Sequence, residues 1–280
     1  MLIVNADDLG LAAGVDRGIV EAHAAGAVSS ASMLVNLEDF EHAAGLARAA
    51  PRLGIGLHFN VVLGRPLTPA RTLVDPHTGA FRPLGSLVRR ALARCIDPDD
   101  VYAECGMQLV RLRDAGLLVT HIDSHRHAHC LPGIWSGVAR AARDARVRIV
   151  RVPLEPLAMN AMDATATGKK LALAASLRAA RRGDGRSRRV GFAGISLQGG
   201  TRFARRLERF LLAPPAGVTE LMVHPGYDDP ALASLDPYRA ARETELATLT
   251  SDPVRELLRA LGPVRFDAPG ISAHPEELQL

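Results

Sequence analysis

Aromatic residues are scarce in this 280-residue chain: seven Phe, three Tyr and one Trp make up 4% of it. None lies between Gly168 and Val190, although six arginines fall between Arg178 and Arg189. With no ring to stack on bases, that run reads as a solvated helix end and loop, and no nucleic-acid partner is expected. Cysteine is equally sparse. Cys95, Cys105 and Cys130 are odd in number and show no CxxC spacing, which argues against a disulfide framework or a cysteine zinc knuckle and fits a reducing cytoplasm. No apolar run approaches the roughly 18 residues of a membrane span, so no membrane partner is expected. The opening MLIVNADDLG has no basic segment and reaches two carboxylates after a short apolar run, unlike a secretory signal. A net charge of +4 is too small to indicate an acidic partner.

What the chain does have is alternation. Apolar residues at 48% and charged residues at 23% describe a globular protein. Short β-type runs at Leu2–Ala6, Ser29–Asn36, Gly54–Asn60, Leu118–Asp123, Arg148–Val152, Gly191–Leu197, Val218–His224 and Val264–Asp267 are separated by stretches of helical period. The helices are expected near Gly14–Ala25, Glu38–Ala49, Asp99–Ala115, Gly133–Asp144, Thr201–Leu212 and Tyr238–Leu261, the last broken near Pro253. Such repetition implies a parallel sheet. Seven or eight units of it favour an irregular α/β fold, a (β/α) barrel of mostly parallel strands, as one domain over residues 1–280. The Pro-rich stretch Gly64–Pro83 is expected to be a loop able to cover a substrate, and Gly168–Arg189 begins helical.

Polar residues gather where apolar strands stop, which is where parallel α/β folds assemble their sites. The first strand runs into Asn5, Asp7 and Asp8; the third ends in GIGLHFN with His58; the fourth enters HIDSHRHAH; the seventh ends in MVHPGYDD with His224. One Asp and two His suit a divalent ion that keeps an open position for water. A second carboxylate can accept that water's proton, and a histidine on another strand can protonate a leaving amine. The plainer alternative for Asp7 and Asp8 is to cap the following helix.

Taken together, NADDLG, GLHF, HIDSHRHAH and MVHPGYDD, in this order from Asn5 to Asp229, resemble the motifs of the YdjC-like carbohydrate deacetylases, which include chitooligosaccharide deacetylases. The resemblance implies a deacetylase-type β/α barrel and metal-dependent removal of acetyl from an N-acetylated sugar. It implies Asp8, His58 and His125 as metal ligands, Asp7 as general base and His224 as acid. Many members carry an aromatic residue after NADD, where this chain has Leu9. Asp123 is expected to orient a ligand or line the site. His127 is expected to support a ligand or face substrate, with a loop position of no function as the alternative for it and for His129. His23, His42, His77 and His274 are read as surface residues, and Cys130 as a packed thiol. The ion is Mg²⁺ or Zn²⁺ on these residues alone. The helical C-terminal third would support a homodimer. Two other functions stay open: hydrolysis of another amide or a phosphoester on the same scaffold, and sugar binding without catalysis.

Overall fold

The computed structural model of the protein describes residues 1–159, 163–180 and 190–271. In chain order its elements are β1 (Leu2–Leu9), α1 (Ala13–Ala24), β2 (Ser30–Met33), α2 (Phe40–Ala49), β3 (Gly54–Phe59), α3 (Leu84–Leu92), α4 (Pro98–Asp114), β4 (Val119–Ser124), a 3₁₀ segment (His125–Cys130), α5 (Ile134–Asp144), α6 (Ala164–Ala180), β5 (Gly191–Ala193), α7 (Phe203–Leu212), β6 (Thr219–Val223), α8 (Leu232–Leu235), α9 (Ala240–Leu249) and α10 (Asp252–Leu261). The strands pair in parallel in the order β4-β3-β2-β1-β6-β5. Each β1, β2, β3 and β6 residue is buried, as expected when helices cover one face and the barrel interior lies on the other.

The α/β barrel architecture agrees with the sequence reading, but the strand count does not. Six strands, rather than seven or eight, form among the described residues. Residues 148–152 contribute only a bridge, in which the Ile122 amide donates to the Ile149 carbonyl and the Arg151 amide to that of Ile122, both at 2.9 Å. Pro153 follows and has no amide with which to continue. The Val264–Asp267 stretch is held to β1 by one bond, from the Val264 amide to the Leu2 carbonyl. The sheet is therefore an incomplete, curled barrel. Side chains span its open side: Arg151 reaches Glu220 on β6, and Glu155 accepts from the amides of Gly194 and Ser196 just past β5.

The main core packs α1, α2, α4, α5, α7, α9 and α10 against the sheet. The predicted break near Pro253 separates α9 from α10, with the proline in the first turn of α10, where a missing amide costs nothing. Inside the barrel, the His121 ring stacks on Phe266 with centroids 3.8 Å apart and lies directly over Gly56. A Cβ on Gly56 would sit 2.3 Å from that ring, so only glycine fits there.

Candidate metal and catalytic site

Adjacent strand residues normally face opposite sides of a sheet, yet Asp7 and Asp8 both line one cavity. The cause is local. Between Ala6 and Leu9 the β1–β2 register slips by a residue, and Asp8 takes the left-handed conformation with φ of 75°. A bulge of this kind re-aims a side chain, and the strain it stores is characteristic of functional positions. The alternative reading of the pair as helix caps fails, because the residue before α1 is Ala12, which makes no side-chain cap bond.

The bulge brings Asp8 Oδ1 within 3.1 Å of His58 Nε2, from the end of β3, and within 2.8 Å of His125 Nδ1, from the start of the 3₁₀ segment. Ligand-capable atoms of these three residues all lie within 4.8 Å of one another. Behind them, Asp123 Oδ1 accepts from His58 Nδ1 at 2.7 Å, so it holds His58 and not His125. Its other oxygen accepts from Ser32 Oγ and Arg151 Nη2, each at 2.6 Å. Arg151 also clamps Asp7 with two bonds, Nη1 to Oδ2 at 2.6 Å and Nη2 to Oδ1 at 2.7 Å, and donates from Nε to Glu220. Asn5 Nδ2 adds a bond to Asp7 at 2.9 Å.

A second buried guanidinium completes the group. Arg242 of α9 donates from Nη2 to Asp8 Oδ2 and to Asp236 Oδ2, both at 2.6 Å, while Arg126 donates to the other Asp236 oxygen at 2.7 Å. Burial alone would raise the Asp8 pKa, but Arg242, His125 and His58 hold it well below the carboxylate range. Burial alone would likewise lower His58, yet Asp123, Asp8 and Asp7 push it up to about 10. Burial raises Glu220 to about 7 against the pull of Arg151. Five carboxylates here face three guanidiniums, a surplus of roughly two negative charges when all are ionised. An Asp and two His converging on such a surplus are donors fit for a divalent cation.

The remaining predicted residues fall at separate places. His224, just past β6, lines the same cavity, with its Nδ1 3.5 Å from Gln198 Nε2 and its amide donating to Glu245. His127 also lines it, has φ of 54°, and its Nδ1 finds no hydrogen-bond partner among the described residues. His129 is buried with a defined task, bonding Ser124 through Nδ1 and the Arg151 carbonyl through Nε2 at 2.9 Å. It therefore steadies the arginine that clamps Asp7. His121 is core, bonded to Ser32 and Thr120 and lowered to about 4 by burial. Of the histidines expected at the surface, His42 and His77 are exposed, His23 is half-buried against the Val28 carbonyl, and His274 lies outside the described residues, as do residues 181–189 of the arginine run.

A family model for YdjC-like proteins matches residues 1–260. The chain belongs to the YdjC-like family. Relatives include a carbohydrate deacetylase from Brevibacillus brevis, 35% identical over 92% of this chain and 94% of its own length, and a chitooligosaccharide deacetylase from Yersinia pestis, 35% identical over 94% and 95%. A solved structure of an Enterococcus faecalis protein named for cellobiose-phosphate cleavage superposes with a TM-score of 0.69 at 25% identity, covering 94% of this chain and 95% of that one.

In this YdjC-like chain the cavity beside the carboxylates has a volume of about 1060 Å³, enough for a small saccharide. Its walls are not those expected. Gly64–Pro83 is pinned against α4, where Glu104 accepts from the Leu67 and Thr68 amides and Asp100 from Thr72, and none of the loop lines the cavity. The following helix α3 lines it instead, as does α6. Leu9, the residue that follows NADD, is fully buried in the core and does not line the cavity. Arg151, Glu220, Asp236 and Arg242 escaped the sequence reading. An arginine within RIVRVP could have been noticed at a strand end, but nothing local marks Arg242 inside a helix.

Proposed function

We propose that the chain hydrolyses the acetamide of an N-acetylated sugar, releasing acetate and a free amine, with a divalent ion held by Asp8, His58 and His125. The observation that carries this reading is the convergence of His58 Nε2 and His125 Nδ1 on one oxygen of Asp8, with Asp7 alongside in the same cavity. Family membership, with relatives named as carbohydrate and chitooligosaccharide deacetylases, supports it. Bound there, the ion would polarise the amide carbonyl and acidify water near neutral pH. Two imidazoles and a carboxylate suit Zn²⁺ better than Mg²⁺, which prefers an all-oxygen shell.

The protein's own groups supply the rest. Asp123 fixes the His58 proton on Nδ1 and so frees Nε2 for the ion. Asp7 takes the proton of the attacking water. Arg151 occupies one lone pair on each Asp7 oxygen, which fixes the carboxylate in place. His224, which lines the same cavity, is the acid that gives a proton to the leaving amine. His127, which lines the same cavity, faces the substrate.

The test is acetate release from N-acetylated mono- and oligosaccharides after loading the protein with Zn²⁺ or Mg²⁺. Asp7→Asn is expected to abolish turnover with the metal retained; loss of metal from that variant would refute the division between base and ligand. Full activity in His58→Ala would remove His58 from the ligand set. Phosphate release from a sugar phosphate, with no acetate from any substrate, would transfer the site to phosphoester chemistry.

A further inference from the structure

We propose that the substrate's sugar carries an apolar aglycone, held in a groove that leads away from the metal ligands between α3 and the C-terminal half of α6. The proposal rests on the deacetylase reading above and names the class of sugar derivative it applies to.

From His125 the cavity floor follows the 3₁₀ segment to Leu131 and Pro132. Ser176 of α6 donates to the Cys130 carbonyl at 2.8 Å, which sets the C-terminal half of that helix beside this stretch. Leu173 lines the groove from α6, and Leu84, Val88 and Leu92 line it from α3. The α3 residues recur every fourth position, so they form one continuous stripe. The same helix buries Leu87 and Ala91, so its second apolar face is not needed for the core. Leu92 is 70% exposed. Such a stripe, continuous with a catalytic cavity, needs an occupant to withdraw it from water.

Sugar rings are recognised by hydroxyl partners and by aromatic faces. Leu84, Val88, Leu92, Leu131, Pro132 and Leu173 have no side-chain donor or acceptor. Apart from histidine, Tyr238 is the one aromatic among the described residues lining the cavity, and it stands by His224 at the catalytic end, with ring centroids 5.4 Å apart. The polar end therefore suits one sugar and its acetamide, and the far end suits alkyl or isoprenoid carbon. Because the acetyl group is what the reaction releases, the apolar part belongs on the aglycone side.

The experiment compares octyl with methyl N-acetyl-β-glucosaminide, below the aggregation limit of the former, using the full-length, metal-loaded protein. Each methylene fully withdrawn from water is worth about fourfold in affinity. Three would exceed tenfold, so the octyl glycoside is expected to show kcat/KM at least ten times higher, mostly through KM. Leu92→Lys and Val88→Lys should each bring the octyl-to-methyl ratio close to one. Equilibrium dialysis of the octyl glycoside provides a readout independent of turnover, and the same loss of binding is expected in both variants. Equal kcat/KM for the two glycosides, or equal octyl binding by wild type and both variants, overturns the groove. Preference for N-octanoyl-glucosamine over the octyl glycoside would place the chain on the acyl side and also overturns it. Octyl binding that depends on Val88 and Leu92, with no acetate from any glycoside, would sink the deacetylase reading and leave the groove standing.

Discussion

Replacing Asp123 by Asn changes one oxygen for nitrogen in a fully buried side chain and so isolates the role of charge and donor direction at the metal site. In the wild type both Asp123 oxygens accept: Oδ1 from His58 Nδ1 at 2.7 Å, and Oδ2 from Ser32 and Arg151 at 2.6 Å. An amide has only one accepting atom. If it faces His58, the NH₂ group meets the Arg151 guanidinium; if it faces Arg151, the NH₂ group meets His58 Nδ1 and forces the proton onto Nε2, the atom that must bind the ion. The first orientation costs a buried donor–donor contact, and the second costs the Nε2 lone pair that the ion needs. Loss of such a supporting group typically weakens metal binding by about 10- to 100-fold, or roughly 1.4 to 2.7 kcal/mol. The assay is competition for Zn²⁺ against a chelator of known affinity, with His58→Ala as the reference for complete loss of one ligand. The thermal midpoint of the metal-free protein is measured in parallel to separate global destabilisation from metal loss. A dissociation constant within twofold of wild type, with normal turnover, would refute the argument that Asp123 governs the His58 tautomer.

Further expectations follow from charge and packing. Without metal, His58 is protonated up to a pH of about 10, so binding an ion must displace that proton; affinity should rise about tenfold per pH unit between pH 6 and 9, and calorimetry in buffers of different ionisation enthalpy should show one proton released. Asp16 is buried near Asp39 and Asp229, with burial as the chief cause of a pKa raised from 3.8 to about 8. Its contribution to stability is complete below pH 3.8 and is lost as pH rises through about 8, by up to about 6 kcal/mol. Asp16→Asn, which can still accept from the Gly10 amide, should therefore unfold at higher denaturant than wild type at pH 9 and show a flatter pH profile between 5 and 8; a lower midpoint at pH 9 would contradict this. Gly56→Ala should cost about 1 to 3 kcal/mol or more, since its Cβ would meet the His121 ring at 2.3 Å, and His121→Ala in the same chain should recover part of the loss. Arg151→Lys should lower kcat by about two orders of magnitude with the metal retained, because a single ammonium cannot reproduce the two-point clamp on Asp7.

Much of the site was legible as strand-end chemistry. Asp7, Asp8, His58, His125 and His224 each follow or interrupt an apolar run, and the structure brings all five to one cavity. Asp123 was expected to orient a ligand, but sequence did not say which; pairing of β3 with β4 sets Asp123 beside His58, and the His58–Asp123 bond follows from that register. His129 looked like a loop residue because five polar residues in a short window read as solvated. It is buried because the segment coils into a 3₁₀ turn under Trp135 and the Arg151 carbonyl. The covering loop was assigned to Gly64–Pro83 from its prolines. Glu104 and Asp100, more than 28 residues later in some pairs, hold that loop against α4, and a bond of such range leaves no mark on local composition.

Local chemistry and period were enough to determine the α/β class, the strand ends that carry carboxylate and imidazole, and an Asp and two His suited to one divalent ion. Those properties are written in neighbouring residues, through apolar periodicity and the point at which each run stops. Tertiary structure decided what depends on distance between remote segments: the bulge that turns Asp8 beside Asp7, the two guanidiniums that hold the aspartates, the incomplete strand count, and the apolar wall shared by α3 and α6. Arg242 lies 234 residues from the Asp8 it pairs with, and that pairing exists only because α9 packs against α1 and brings the guanidinium over the end of β1.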